Sequence, residues 1–177
     1  MIGPIPIAGS DINTKDDPFL RGFCYSIFVC GCKRRCKGCQ NPDLQSFDAG
    51  FLMEPKDIVY CIKQRTGLIS SVAYLGGDWI NYPEELFWIT RGVKTSLNGL
   101  NILNILYTGE LFEDIDESLL EHLDIIVDGE YDRMKPTYKF PVSSNQRVWV
   151  NMQPADKTKL KGWYVVPPEN LPINNGE

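Results

Sequence analysis

The sequence predicts an α/β fold built on a mostly parallel sheet, open or partly closed into a barrel. Two observations carry that expectation. Short apolar runs of strand character alternate with longer runs of helical period, and each of four such strands runs straight into a glycine-rich or polar motif. Right-handed β-α-β units would bring those four motifs to one face, the end where parallel α/β folds build their sites. A length of 177 residues suits one domain with its own hydrophobic core.

Residues 1–22 are rich in Pro, Gly and Asp without a clear period and read as an irregular lead-in to a core domain over residues 23–150. Tyr25 to Cys30 is apolar, β-branched and aromatic, as a buried strand requires. Glu54 to Arg65 is the first predicted helix. Pro55 sits at its start, Ile58, Val59 and Ile62 share a face, and Gly67 lies past its end. Ser71 to Leu75 is the second strand and stops at Gly76-Gly77-Asp78. Pro83 to Thr95 is the next helix, with Glu84 and Glu85 complementing the dipole of its first turn and Asn98-Gly99 ending it. Asn101 to Tyr107 and Ile125 to Asp128 are further strands, joined through a short helix near Ser118 to His122. Residues 151–177 are polar and punctuated by Pro154, Pro167, Pro168 and Pro172, which reads as a tail on or beyond the core.

Composition narrows the function. A formal net charge of -5 disfavours nucleic acid and anionic membrane as partners. No stretch approaches the roughly eighteen apolar residues of a membrane helix, and the N-terminus lacks the pattern of a signal peptide, so the expected location is the cytoplasm. Of six cysteines, five (Cys24, Cys30, Cys32, Cys36, Cys39) fall within sixteen residues. In a reducing compartment such clustering points to metal or redox chemistry before disulfides.

Cys32, Cys36 and Cys39 have the spacing C-x3-C-x2-C. Three thiolates on so short a loop suit three irons of a [4Fe-4S] cubane, leaving the fourth iron open to a ligand. A zinc site is the alternative and would need a fourth ligand from Cys30 or Cys24. Cys24, Cys30 and Cys61 read instead as small buried residues. Lys33, Arg34, Arg35 and Lys37 place four positive charges beside the cysteines, as a solvated loop or as a dock for an acidic electron donor.

The cysteine spacing resembles the defining motif of the radical S-adenosylmethionine (SAM) superfamily, and Gly76-Gly77-Asp78 resembles its Gly-Gly-Glu motif. Further segments are similar to the anaerobic ribonucleotide reductase activating proteins, a class of glycyl-radical-enzyme activases. They are Ile27-Phe28-Val29, Cys36 to Asn41, Tyr107-Thr108-Gly109, Asp124 to Gly129 and Ser143-Ser144-Asn145-Gln146-Arg147. The upstream Asp17 to Gly22 segment and Trp79 depart from the family pattern, and the tail has no counterpart.

The resemblance implies a single-domain partial (βα) barrel of radical SAM type. Cys32, Cys36 and Cys39 would hold the cluster, and Gly38, Gly76, Gly77, Asp78, Tyr107 and Asn145 would bind SAM. No catalytic side chain is implied beyond these cofactors. The implied activity is reductive cleavage of SAM to a 5′-deoxyadenosyl radical that generates a glycyl radical on the anaerobic reductase, with reduced flavodoxin or ferredoxin as electron donor. Two other readings stand beside it: a radical SAM enzyme with another protein or small-molecule substrate, and a non-catalytic zinc-binding interaction module. His122, the only histidine, reads as surface decoration.

Overall fold

The structure is a computed structural model that describes residues 2–96, 100–152 and 162–175. Among these residues eight strands form one sheet: β1 (Ile5–Asn13), β2 (Phe23–Val29), β3 (Phe51–Met53), β4 (Ile69–Gly76), β5 (Leu103–Tyr107), β6 (Ile125–Asp128), β7 (Arg147–Met152) and β8 (Gly162–Val166). Their order is β3-β1-β2-β4-β5-β6-β7-β8. The pairs β2–β4, β4–β5 and β5–β6 are parallel, and the pairs toward either edge are antiparallel.

The expectation of a mostly parallel sheet therefore holds for the four central strands and gives way at both margins. The lead-in, read as irregular, contains β1, whose register shifts between Ile7 and Gly9. Pro6 and Gly9 weaken its strand signal, yet a local irregularity accommodates such residues in a sheet. The other margin is the antiparallel pair β7–β8. Trp163 to Val166, assigned to the tail, lies within β8 and pairs with β7. The expected helix end at Asn98-Gly99 falls outside the described residues.

Crossovers between the parallel strands are helical. Helix α1 (Pro55–Lys63) begins with Pro at its first turn, as the sequence suggests, and α2 (Pro83–Ser96) carries Glu84 and Glu85 there. The short α3 (Glu117–Leu120) is capped by the Asp116 side chain, which accepts from the Ser118 N–H. All three helices lie on one face of the sheet. Tyr25, Ile27 and Val29 of β2, Val72 and Tyr74 of β4, Leu106 and Ile126 form one core with Ile58 and Ile62 of α1 and Leu86, Ile89 and Val93 of α2. The alternate residues Cys24, Ala73, Ile105, Ile125 and Val127 form a second core on the opposite face, closed by Leu171 from the C-terminal segment.

Candidate functional site

The cysteine loop is aimed by backbone. At its start the Cys30 N–H donates to the Pro6 carbonyl at 2.8 Å, the Gly31 N–H to Leu44 at 2.8 Å and the Cys32 N–H to Gln45 at 3.1 Å. Two residues of positive φ then redirect the chain: Arg35 (φ 52) just before Cys36, and Gly38 (φ 83) just before Cys39. Cys32, Cys36 and Cys39 all line one open cavity of about 160 Å³. Cys24 is in the second core, Cys30 lies against Gly50, and Cys61 borders a separate cavity behind β1 and β2. Three thiols thus share one cavity and three lie apart from it; Cys24 and Cys30 are buried, and Cys61, expected to be buried, is partly exposed. Among the described residues no three Cys, His, Asp or Glu side chains gather closely enough to hold a single metal ion.

Three thiols on an open cavity are a donor set that fits a cubane with one iron left free. Burial and the neighbouring Glu130 carboxylate push the Cys36 thiol up to about 12, and burial raises Cys24 to about 11. A bound cation reverses that preference only where a thiol can reach it, which separates Cys36 from Cys24.

The Gly76-Gly77-Asp78 turn is wedged against the start of the cysteine loop. Gly77 donates its N–H to Val29 at 2.6 Å and Asp78 donates its own to Gly31 at 2.9 Å. A Cβ on Gly77 would sit 2.3 Å from the Gly31 carbonyl oxygen, and one on Gly76 2.4 Å from that of Val29. The glycines therefore let two strand ends touch, and both also line the cavity. Trp79, which departs from the family pattern, is fully buried on the helical side, donating from Nε1 to the Leu75 carbonyl at 2.9 Å and meeting Tyr74 edge to face.

Asp78 is 3% exposed and lines the same cavity. Its carboxylate accepts from Thr108 Oγ1 at 2.8 and 3.1 Å, the Gly109 N–H at 3.1 Å and the Ile80 N–H at 3.2 Å. Burial nevertheless pushes its pKa up against these bonds. Thus Thr108-Gly109, which follows β5, orients the acid of the preceding strand's motif.

The remaining motifs are largely joined to one another. Arg147 pairs with the fully buried Asp128 and, at 2.7 Å, with Glu113, while Asp128 also accepts from the Phe112 N–H at 2.8 Å. Asp124 accepts from Lys94 at 2.6 Å and from the Asn104 N–H at 2.7 Å. Ser143 donates to Asn145, whose amide donates to the Glu130 carbonyl at 2.7 Å.

Of the residues expected to bind a cofactor, Gly76, Gly77, Asp78 and Tyr107 line the cavity, and Gly38 and Asn145 do not. Tyr107 spends its hydroxyl on the Asp16 carbonyl at 3.0 Å. Gly38 faces Arg133, whose Cδ would lie 2.6 Å from an added Cβ. Its placement makes it a turn residue. Gln146 lines the cavity in place of Asn145, with Nε2 donating to the Gly129 carbonyl at 3.1 Å and Oε1 buried without a hydrogen-bond partner among the described residues.

Sequence reasoning did not single out Arg34 from its basic neighbours. The structure turns it inward, with Nε 3.6 Å from Asp78 and a terminal nitrogen 2.6 Å from Glu110, while Lys33, Arg35 and Lys37 are exposed. Spacing along a loop carries no signal that distinguishes these four.

The family described as a 4Fe-4S single cluster domain matches residues 21–149. The chain is 33% identical over 131 residues to an anaerobic ribonucleoside-triphosphate reductase-activating protein of Enterobacteria phage T4, covering 71% of this chain and 82% of the relative. It is 30% identical over 132 residues to a protein of the same name from Vibrio cholerae, covering 68% of this chain and 83% of the relative. A third of that name, from Haemophilus influenzae, is 27% identical over 131 residues, covering 68% and 83%.

Proposed function

The chain belongs to the family of anaerobic ribonucleoside-triphosphate reductase-activating proteins, and on that premise we propose that it cleaves SAM reductively at a [4Fe-4S] cluster and installs a glycyl radical on an anaerobic ribonucleotide reductase. The observation that carries the reading is the meeting of Cys32, Cys36, Cys39 and Asp78 on one open cavity. When bound, the cluster and SAM supply the electron transfer and the radical that removes hydrogen from a glycine Cα.

The protein's part is to hold and orient. Cys32, Cys36 and Cys39 would ligate three irons. Asp78, fixed by Thr108 and Gly109, would accept the ammonium of SAM, and Gly76, Gly77 and Tyr107 would border the ligand. Gly38 and Asn145 would shape the site from behind, one by turning the loop and the other by bracing Glu130.

Parallel strands in sequential order with their helices on one face are what a partial (βα) barrel of radical SAM type requires, and in this reading β2, β4, β5 and β6 form it. A glycine loop of the reductase would approach at the open end of these strands. The exposed Lys33, Arg35 and Lys37 suit an acidic electron donor such as reduced flavodoxin or ferredoxin. No helix among the described residues is long and apolar enough to cross a membrane.

Anaerobic reconstitution with iron and sulfide, followed by EPR of the reduced protein with and without SAM, tests the proposal. A [4Fe-4S]+ signal that shifts with SAM is expected. Cys32→Ala, Cys36→Ala and Cys39→Ala should each abolish SAM cleavage, and Cys61→Ala should retain it. Bound zinc with no cluster would overturn the reading.

A further inference from the structure

We propose that the connection from β6 to β7, residues 129–146, is a docking arm for the reductase, gripping an acidic surface of that partner through Met134, Tyr138 and an apolar notch beside them. The inference rests on the reductase as partner and specifies the surface that holds it.

The arm is folded back on itself. The Thr137 N–H donates to the Val142 carbonyl at 3.0 Å, the Ser144 N–H donates to the Lys135 carbonyl at 2.9 Å, and Pro136 bridges to Ser143. Asn174 of the C-terminal segment holds both backbone groups of Phe140 at 2.6 Å, and the Phe140 ring meets Tyr107 edge to face. On this braced backbone Tyr138 is fully exposed and Met134 is 79% exposed. One exposed apolar side chain on a surface needs no explanation. Here two stand on an arm whose Phe140 and Pro141, with Pro168, wall a cavity of about 220 Å³. The arm thus offers both protruding side chains and a recess for the apolar part of a partner.

Charge identifies what surrounds that apolar part. Residues 131–142 hold three cations, Arg133, Lys135 and Lys139, against one acid, Asp132, in a chain of net charge -5. All three cations are exposed, and Lys135 is only loosely paired, 3.7 Å from Asp132. A basic patch on an acidic molecule complements a partner surface rich in Asp and Glu. Tyr, Met and Arg are enriched in interfaces, and a backbone fixed beforehand loses little freedom on binding. Electron-transfer encounters bury little surface. An oriented apolar grip therefore fits the reductase, whose glycine must be delivered to one spot, better than it fits an electron donor. Gly129, Tyr131 and Gln146, toward the two ends of the arm, line the cysteine cavity. A partner held by the arm is thus held beside the place where the radical would form.

Anaerobic titration of the cluster-loaded protein with anaerobic ribonucleotide reductase from the same source tests this. Met134→Ser combined with Tyr138→Ser should weaken reductase binding about tenfold or more. Glycyl radical yield should fall at low reductase and recover at saturation, while iron content, SAM cleavage without reductase and reduction by flavodoxin stay as in wild type. Arg133→Glu, Lys135→Glu and Lys139→Glu together should also weaken binding at low salt and remove its weakening by added salt. Unchanged reductase affinity in either variant, loss of SAM cleavage without reductase, or slowed reduction by flavodoxin as the sole defect overturns the inference. Wild-type protein that cleaves SAM yet binds no reductase overturns the reading of the partner itself.

Discussion

At the scale of single residues, burial and charge compete most openly at Asp78. Three donors and the Arg34 cation favour its ionised form, yet burial wins and raises its pKa above the ordinary value. An acid whose folded pKa is raised binds protons more tightly in the folded state, so its ionisation subtracts stability as pH rises through that value. The same ionised form is the one that accepts an ammonium. Asp78→Asn is therefore expected to weaken SAM binding about tenfold or more, measured by dialysis, with iron loading unchanged. Glu113 shows the opposite sign. Its hydrogen bonds to Arg147 lower its pKa from 4.5 to about 2, so the stability it contributes is complete above pH 4.5 and disappears as pH falls toward 2. Urea midpoints of wild type and Glu113→Gln should differ at neutral pH and converge near pH 2.

Elements decide how the motifs meet. The β2 and β4 ends touch through Gly31, Gly76 and Gly77, and the contact leaves no space for a side chain at Gly77. Gly77→Ala should push the cysteine loop off the end of β4, lowering iron per chain after reconstitution and costing about 1–3 kcal/mol in urea denaturation. Gly3→Ala, where an added Cβ meets nothing within 4 Å, is the control and should change neither. The four parallel strands and both long helices are legible in sequence because their apolar periods are strong and their turn residues local. β1 and β3 are not. β1 carries Pro6, Gly9 and Asp11 within its span, and three-residue β3 is too short to show a period.

For the molecule as a whole, the second face of the sheet is closed by segments remote from it in sequence. Leu171 is fully buried there, the Ile173 N–H donates to Pro18 at 3.4 Å, and Asn174 bridges to both backbone groups of Phe140 at 2.6 Å. Leu171→Ala should cost about 2–4 kcal/mol in urea denaturation, a loss out of proportion for a terminal segment that serves only as a tail. Charge is distributed on the same scale. The chain is acidic overall, with a net charge of -5, while exposed Lys33, Arg35 and Lys37 surround the cysteines. Reduction of the cluster by an acidic flavodoxin should slow as ionic strength rises, and neutralising the three cations together should flatten that dependence.

Spacing and period are local quantities, so the sequence by itself determined the cysteine triad, the parallel β-α-β core and the placing of its motifs at strand ends. Contacts between distant segments are not encoded in any local pattern, and only the tertiary structure decided them. It paired Arg147 with Asp128, gave Asn145 to a loop carbonyl and Gln146 to the cavity, and turned Arg34 inward while its basic neighbours stayed in solvent. Each outcome depends on which carboxylate or carbonyl lies within hydrogen-bonding reach once the sheet has closed. That reach is a property of the folded chain.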